Sequence, residues 1–327
     1  MLDIIIPVYN NPEGLRNTLK SINQEICNDI TITIVDDCSS VKYEWPALRM
    51  EKNSGPGAAR QYGIDNTFEP FIMFIDAGDV FVDNNVQLEL IDTLKSTKGY
   101  LYSWHHNTVK KDGTIILEKH TNNRLHGKVY SREFLKEYGI QFCQDPIGSY
   151  ANEDIAFNIL CRAAIASFSS YEEKYLCYEK PIINWTYDEN SITHNNDGEF
   201  KFIKHVPGLV ANIKFALKIM EDQEYNRTVR AETIFSIFGR LYTDLVFTSM
   251  FSPKYAEMVW ENCKDYYTNC YLPYNDLREQ FDIYVGISIT RILKEMKEWK
   301  NPPKLNFRKF LEELKTEEKL PKRYLVV

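Results

Sequence analysis

Leu2-Asp3-Ile4-Ile5-Ile6-Pro7-Val8 runs into Tyr9-Asn10-Asn11. Ile30-Thr31-Ile32-Thr33-Ile34-Val35 runs into Asp36-Asp37, and Phe71-Ile72-Met73-Phe74-Ile75 into Asp76-Ala77-Gly78-Asp79. Short apolar runs of this kind suit strands of a parallel sheet buried on both faces. In open α/β sheets, ligands bind beyond the carboxyl ends of the strands. The three polar clusters therefore converge on one crevice edged by four carboxylates. Such a crevice suits a nucleotide diphosphate held through a divalent cation.

Outward from these runs the pattern continues. Leu15, Leu19, Ile22 and Ile26 form a helical stripe after Asn11-Pro12-Glu13, with Asn11 as N-cap and Pro12 at the first helical position. Asn53-Ser54-Gly55-Pro56-Gly57-Ala58-Ala59-Arg60 reads as a loop opening a helix, Asn85 to Leu94 as a helix, and Tyr100 to Trp104 as a strand. The alternation predicts a mostly parallel sheet with helices on both faces. Ser131–Tyr138 and Glu153–Ala164 read as further helices, and Ile182–Tyr187 as a strand. After residue 200 only helical stripes remain: Leu209, Val210, Ile213, Leu217 and Met220; Ile289, Ile292, Leu293, Met296 and Trp299; and, beyond Pro302-Pro303, Phe307, Phe310, Leu311 and Leu314. Two regions are expected: 1–200 for nucleotide binding and catalysis, and 201–327 as a helical acceptor side or cap.

The 327 residues are 44% hydrophobic and 26% charged, which is ordinary for a soluble globular chain. The net charge of −7 argues against a polyanion partner for the surface as a whole. It is uneven, with 18 Lys and Arg against 29 Asp and Glu in residues 1–200, and 21 against 17 beyond. Seven scattered cysteines without a C-x-x-C pair point to reduced thiols in a cytoplasmic protein, not to disulfides or zinc. The most apolar long stretch, 233–251, is interrupted by Arg240 and Asp244 and reads as a core-facing helix, not a membrane span.

Several constellations carry possible chemistry, each with a plain structural competitor. Asp36-Asp37 can accept from a base N–H or a ribose hydroxyl, or simply make a turn. Asp76 and Asp79, three apart off a buried strand, can bridge Mg²⁺ or Mn²⁺ to phosphate, because hard cations want oxygen ligands. Asn152-Glu153-Asp154 opens a helix. There a carboxylate serves either as a general base or only as a partner of the helix dipole. His105, His106, His126 and His194 share no metal-binding spacing and are expected to be structural.

Taken together, Ile4-Ile5-Ile6-Pro7-Val8-Tyr9-Asn10, Val35-Asp36-Asp37-Cys38-Ser39-Ser40, Asn53-x-Gly55-x-Gly57-x-Ala59-Arg60-x-x-Gly63, Phe74-Ile75-Asp76-Ala77-Gly78-Asp79 and Asn152-Glu153-Asp154 form an ordered series. Over roughly residues 1–195 the chain resembles the inverting family-two glycosyltransferases of GT-A fold. The resemblance implies a base pocket lined by Pro7, Tyr9 and Asp37 with Asp36 close by, and Asn53, Gly55, Gly57 and Arg60 near the nucleotide. It implies Asp76 as a contact to the ribose, and Asp76 and Asp79 as metal ligands joined by His194. Asp154 would be the catalytic base, supported by Glu153. Two departures stand out. Gly78 occupies the third position of the family's Asp-x-Asp, so Asp79 supplies the second carboxylate. The Gln-x-x-Arg-Trp motif of processive members is absent.

The resemblance further implies a soluble, single-transfer enzyme using Mn²⁺ or Mg²⁺ and a UDP-linked sugar donor. It would transfer to a hydroxyl of a glycan or glycoconjugate with inversion. Two alternatives stay open: transfer to hydroxymethylated bases in phage duplex DNA, for which the slightly basic C-terminal part would be the DNA-facing surface, and a catalytically inactive nucleotide-binding scaffold of the same fold.

Overall fold

A computed structural model describes residues 1–23, 28–120, 123–169, 171–186, 198–281, 283, 286, 287, 290 and 306–324. In chain order the elements are β1 (Leu2–Val8), α1 (Pro12–Ser21), β2 (Ile30–Asp36), β3 (Leu48–Arg49), α2 (Pro56–Asp65), β4 (Phe71–Phe74), β5 (Val80–Phe81) and α3 (Asn84–Ser96). Then come β6 (Leu101–Val109), β7 (Ile115–Glu118), β8 (Lys128–Ser131), α4 (Arg132–Glu137), α5 (Glu153–Phe168), α6 (Tyr171–Lys174) and β9 (Tyr175–Thr186). The α-helices that follow are α7 (Gly198–Asp222), α8 (Arg227–Phe251), α9 (Ala256–Tyr266) and α10 (Phe307–Thr316), with a π-helical turn (Tyr267–Tyr271) and a 3-10 stretch (Leu272–Leu277) directly after α9. Of the residues read from the sequence, Ile26, Tyr187, His194, Pro302-Pro303 and the Ile289–Trp299 stripe lie outside the described residues.

Local chemistry explains where the helices start. Asn11 Oδ1 accepts from Gly14 N at 2.9 Å, with Pro12 supplying a preset φ where no N–H is needed. Asp83 Oδ1 accepts from Asn85 N and Val86 N at 2.7 and 3.0 Å and starts α3, and Ser131 caps α4 in the same way. α5 differs, because its N-cap residue Asn152 makes no capping bond with its side chain.

The sheet has nine strands in the order β3-β2-β1-β4-β8-β6-β9-β5, with β7 paired to β6. β2, β1 and β4 are parallel neighbours, Leu2 lying opposite both Ile30 and Phe71. The parallel run ends there. β8 pairs antiparallel to β4 on one side and to β6 on the other, so β6 does not extend the parallel set directly. With four residues, β8 is too short to show an alternation that would announce it. β6 and β9 are parallel again, with register shifts around His105 and His106. Irregularities of this kind re-aim side chains.

Side-chain alternation along β1 feeds two cores. Leu2, Ile4, Ile6 and Val8 pack with Leu15 of α1 and Val86, Leu90 and Leu94 of α3. Ile5 faces the other way, into a core holding Phe74, Phe142 and Phe157. That second core continues without a break through Leu209, Ile213, Phe235, Phe238 and Trp260 to Phe310 and Leu314. The helices after residue 200 therefore share one apolar interior with the sheet. No described helix is long and apolar enough to cross a membrane.

The carboxyl ends of β1, β2 and β4 meet as parallel pairing requires. Asp37 N donates to Val8 O at 2.9 Å, Ser40 N to Asn10 Oδ1 at 2.8 Å, and Asn11 Nδ2 to Ala77 O at 3.0 Å.

Candidate functional site

The crevice starts at the end of β1, where Pro7 is buried in the strand and Tyr9 is 50% exposed beyond it. Asp36 is buried with both oxygens engaged: Oδ1 accepts from Ser39 N at 2.8 Å, and Oδ2 pairs with Arg49. Asp37 accepts from Ser54 N at 2.7 Å and from Gly55 N at 2.8 Å. Burial raises its carboxyl, and those two N–H groups oppose the rise. Asp37 thus anchors the loop that opens α2.

That loop is tight because another segment presses on it. Gly55 has φ +89°, and a Cβ there would lie 2.8 Å from Ser149 O. A Cβ on Gly57 would meet Glu153 Cβ at 3.0 Å. Ala58 N donates to Ser149 Oγ at 2.8 Å, and the Tyr150 hydroxyl bonds Asn53 Oδ1. The glycines are required by the approach of residues 149–153. Burial raises the Tyr150 hydroxyl, and the nearby Asp37 and Tyr9 add to the rise. Sequence reading missed it, since a lone tyrosine before the Asn-Glu-Asp string carries no signal of its own.

Arg60 joins the two ends of the crevice. Nearly fully buried, it donates through one guanidinium nitrogen to Asp76 Oδ1 and through another to Glu153 Oε1, both at 2.7 Å. Its guanidinium rests over Phe142, 5.9 Å from the ring centroid. Burial would lift Asp76, but Arg60 and then His126 outweigh it and hold that carboxyl below its ordinary value. Glu153 is pushed up to about 7 by burial, with Arg60 opposing and Asp154 adding to the rise. Burial raises Asp154 as well, against Arg60 and the Ile155 N–H it accepts at 2.8 Å. Asp154 lies within electrostatic reach of Asp76, Arg60 and His126.

The turn after β4 explains the Gly78 departure. Gly78 has φ +119° with open space around it, and the reversal brings Asp79 back toward Asp76. Thr18 fixes the turn: its hydroxyl donates to Asp79 O at 2.7 Å and accepts from Gly78 N at 2.9 Å. Asp76 is half-exposed and Asp79 is buried. Asp79 Oδ2 has no hydrogen-bond donor and lies 3.3 Å from His126 Nε2. Asp76, Asp79 and His126 each offer a ligand atom within 4.8 Å of the others.

Two carboxylates, one of them buried against an imidazole, fit a divalent cation. His126 stands where the sequence reading expected only structural histidines. It sits 47 positions after Asp79, and no spacing rule links the two. Behind it His106 is fully buried and stacked at 5.2 Å, with both ring nitrogens lacking partners; burial pushes it down to about 3, so the ring is neutral. His194, the third ligand implied by resemblance, lies outside the described residues.

Residues 3–153 match the model of Glycosyl transferase family 2. The chain carries a family-two glycosyltransferase domain. Over 104 residues it is 36% identical to the minor teichoic acid biosynthesis protein GgaA of Bacillus subtilis, covering 27% of this chain and 23% of that protein. Over 149 residues it is 26% identical to the teichoic acid poly(glycerol phosphate) polymerase of Staphylococcus epidermidis, covering 42% of this chain and 20% of that one. The match thus spans about a fifth of these curated relatives. The fold is similar to a crystal structure of S. aureus TarS 1-349 in complex with UDP-GlcNAc, with TM-score 0.62, 13% identity, and coverage of 82% of this chain and 81% of that one. This family-two domain has a GT-A-like mixed α/β sheet followed by helices.

Proposed function

We propose that the crevice binds a UDP-linked sugar and transfers one sugar to an acceptor hydroxyl with inversion. The observation that carries this reading is the Arg60 bridge, which brings Asp76 and Glu153, 93 positions from Arg60, to one site. Asp154 is the base in this reading. It takes the proton of the acceptor hydroxyl as that oxygen attacks the anomeric carbon from the face opposite the leaving diphosphate. Glu153 and Arg60 hold the first turn of α5 in place. Asp76, Asp79 and His126 would hold Mn²⁺ or Mg²⁺, which when bound supplies positive charge to the departing nucleotide diphosphate. Tyr9, Tyr150 and Asp37 are read as the nucleobase end, with Pro7, Asp36 and Asn53 shaping it.

The UDP-GlcNAc bound by the fold neighbour supports a UDP-linked donor, and the teichoic acid names of the relatives support a glycoconjugate acceptor. Residues 1–200 are read as the donor and catalytic part, and 201–327 as the acceptor side or cap. The test is hydrolysis of a panel of UDP-sugars with Mn²⁺, followed by acceptor screening with the donor that turns over. Hydrolysis of one donor, lost in Asp154→Asn, is the expected result. No turnover and no UDP binding would sink the reading.

A further inference from the structure

The short segment before α5 is held from the C-terminal helices, not by its own cap. Asn152 is in the left-handed region, φ 62° and ψ 20°, and its side chain makes no capping bond to α5. Its Nδ2 donates instead to His205 O on α7 at 2.8 Å. His205 Nε2 in turn accepts from an Arg240 guanidinium nitrogen on α8 at 2.9 Å.

One turn along the same face of α7, a Cβ on Gly208 would lie 2.8 Å from both Ala151 Cβ and Ala151 O, so the helix rides directly on the segment. A turn further, fully buried Asn212 donates from Nδ2 to Gly148 O and Ala151 O at 2.8 Å each. Positions 205, 208 and 212 therefore grip residues 148–152, immediately before Glu153 and Asp154. These bonds go to backbone carbonyls, so they set where the chain runs and not merely how tightly it packs.

We infer that α7 and α8 form a clamp that positions the first turn of α5, with Asn152, His205, Asn212 and Arg240 as positioning residues for Asp154. This rests on the reading of Asp154 as the base. The helical region would thus act on the reaction by fixing the base, whatever it contributes to acceptor binding. The direction of the bonds supports this, since both amide side chains donate to backbone carbonyls across the contact and Arg240 locks the histidine from behind.

The experiment uses the full chain. Asn152→Gly keeps the left-handed backbone at no steric cost while deleting the tether. Arg240→Met removes the outer link, which reaches Asn152 only through His205. For both, hydrolysis of the accepted UDP-sugar should fall roughly ten- to hundredfold in kcat, the scale of a small misplacement of a catalytic group. KM for the donor, UDP affinity by calorimetry and the unfolding midpoint should stay at wild-type values. Amide exchange of the first turn of α5 should quicken, measured with UDP and Mn²⁺ present. Unchanged kcat, a parallel loss of UDP affinity, or unchanged exchange in that turn would each overturn the clamp. If wild-type protein hydrolyses no UDP-sugar, the proposed function fails, and the exchange measurement still judges the clamp by itself.

Discussion

The two ends of the crevice use their carboxylates differently. At the β1–β2 end, Asp36 and Asp37 are both spoken for: Ser39 and Arg49 hold one, and the Ser54 and Gly55 backbone holds the other. At the β4–α5 end, Asp79 Oδ2 faces the His126 imidazole at 3.3 Å, His126 Nδ1 is buried without a hydrogen-bond partner, and Arg60 is shared between two carboxylates. Buried polar groups are ordinarily satisfied, so in the proposed reading this set is where a ligand completes the structure.

The largest effect that would sharpen this contrast is Asp154→Asn. Turnover should drop by roughly 10²–10⁴, the range for loss of a general base, with UDP affinity by calorimetry unchanged. Near-wild-type transfer would remove the chemistry from that end.

Arg60→Met should cost about 3 kcal/mol in urea unfolding, because it strips a buried ion pair of one partner. Glu153, already raised, takes up a proton instead of staying charged, which limits the loss. A cost below about 1 kcal/mol would show that Arg60 does not tie the two ends together.

His126→Ala should weaken Mn²⁺ binding by roughly 10–100-fold at least, the loss usual even for groups outside the ligand shell. Titration of Mn²⁺ in the presence of UDP measures it. Equal affinity in the variant would place the metal elsewhere.

The pH response separates the ends further. Glu153 is raised from 4.5 to about 7, so between these values the folded chain keeps a proton that the unfolded chain has released. Its contribution to stability therefore falls as pH rises through that window, and Glu153→Gln should flatten the slope. Activity should run the opposite way, rising with pH as Asp154 ionises, with an acid limb above the ordinary carboxylate value near 4. An acid limb at or below that value would contradict the desolvation of the half-buried Asp154.

Smallest is Tyr150→Phe, which removes one hydroxyl bonded to Asn53 and should change UDP affinity by about 1 kcal/mol. A much larger loss would move Tyr150 from the scaffold to direct recognition of the base.

Much of the first half was legible in the chain. β1, β2 and β4 announced themselves as apolar runs, and Asn11 with Pro12 marked the start of α1 as found. β8 did not, being four residues long, and β9 begins seven residues before the expected Ile182. In the site, Asp76, Asp79, Glu153 and Asp154 were readable from strand ends and a helix start. His126 was hidden, because only the antiparallel placement of β8 beside β4 carries the chain just before it back over Asp79. The Gly55–Gly57 loop was readable as tight, but its cause, the Ser149–Glu153 segment, was not.

The sequence by itself determined that β1, β2 and β4 are strands, and that acidic turns follow two of them. Such preferences are local: apolar runs must be buried, and Asp, Asn and Gly favour turns. Only the tertiary structure decided that Arg60 reaches Glu153, that His126 meets Asp79, and that α7 grips the chain before Asp154. Those contacts span 47 to 93 positions and depend on strand order and helix docking, which no local preference encodes.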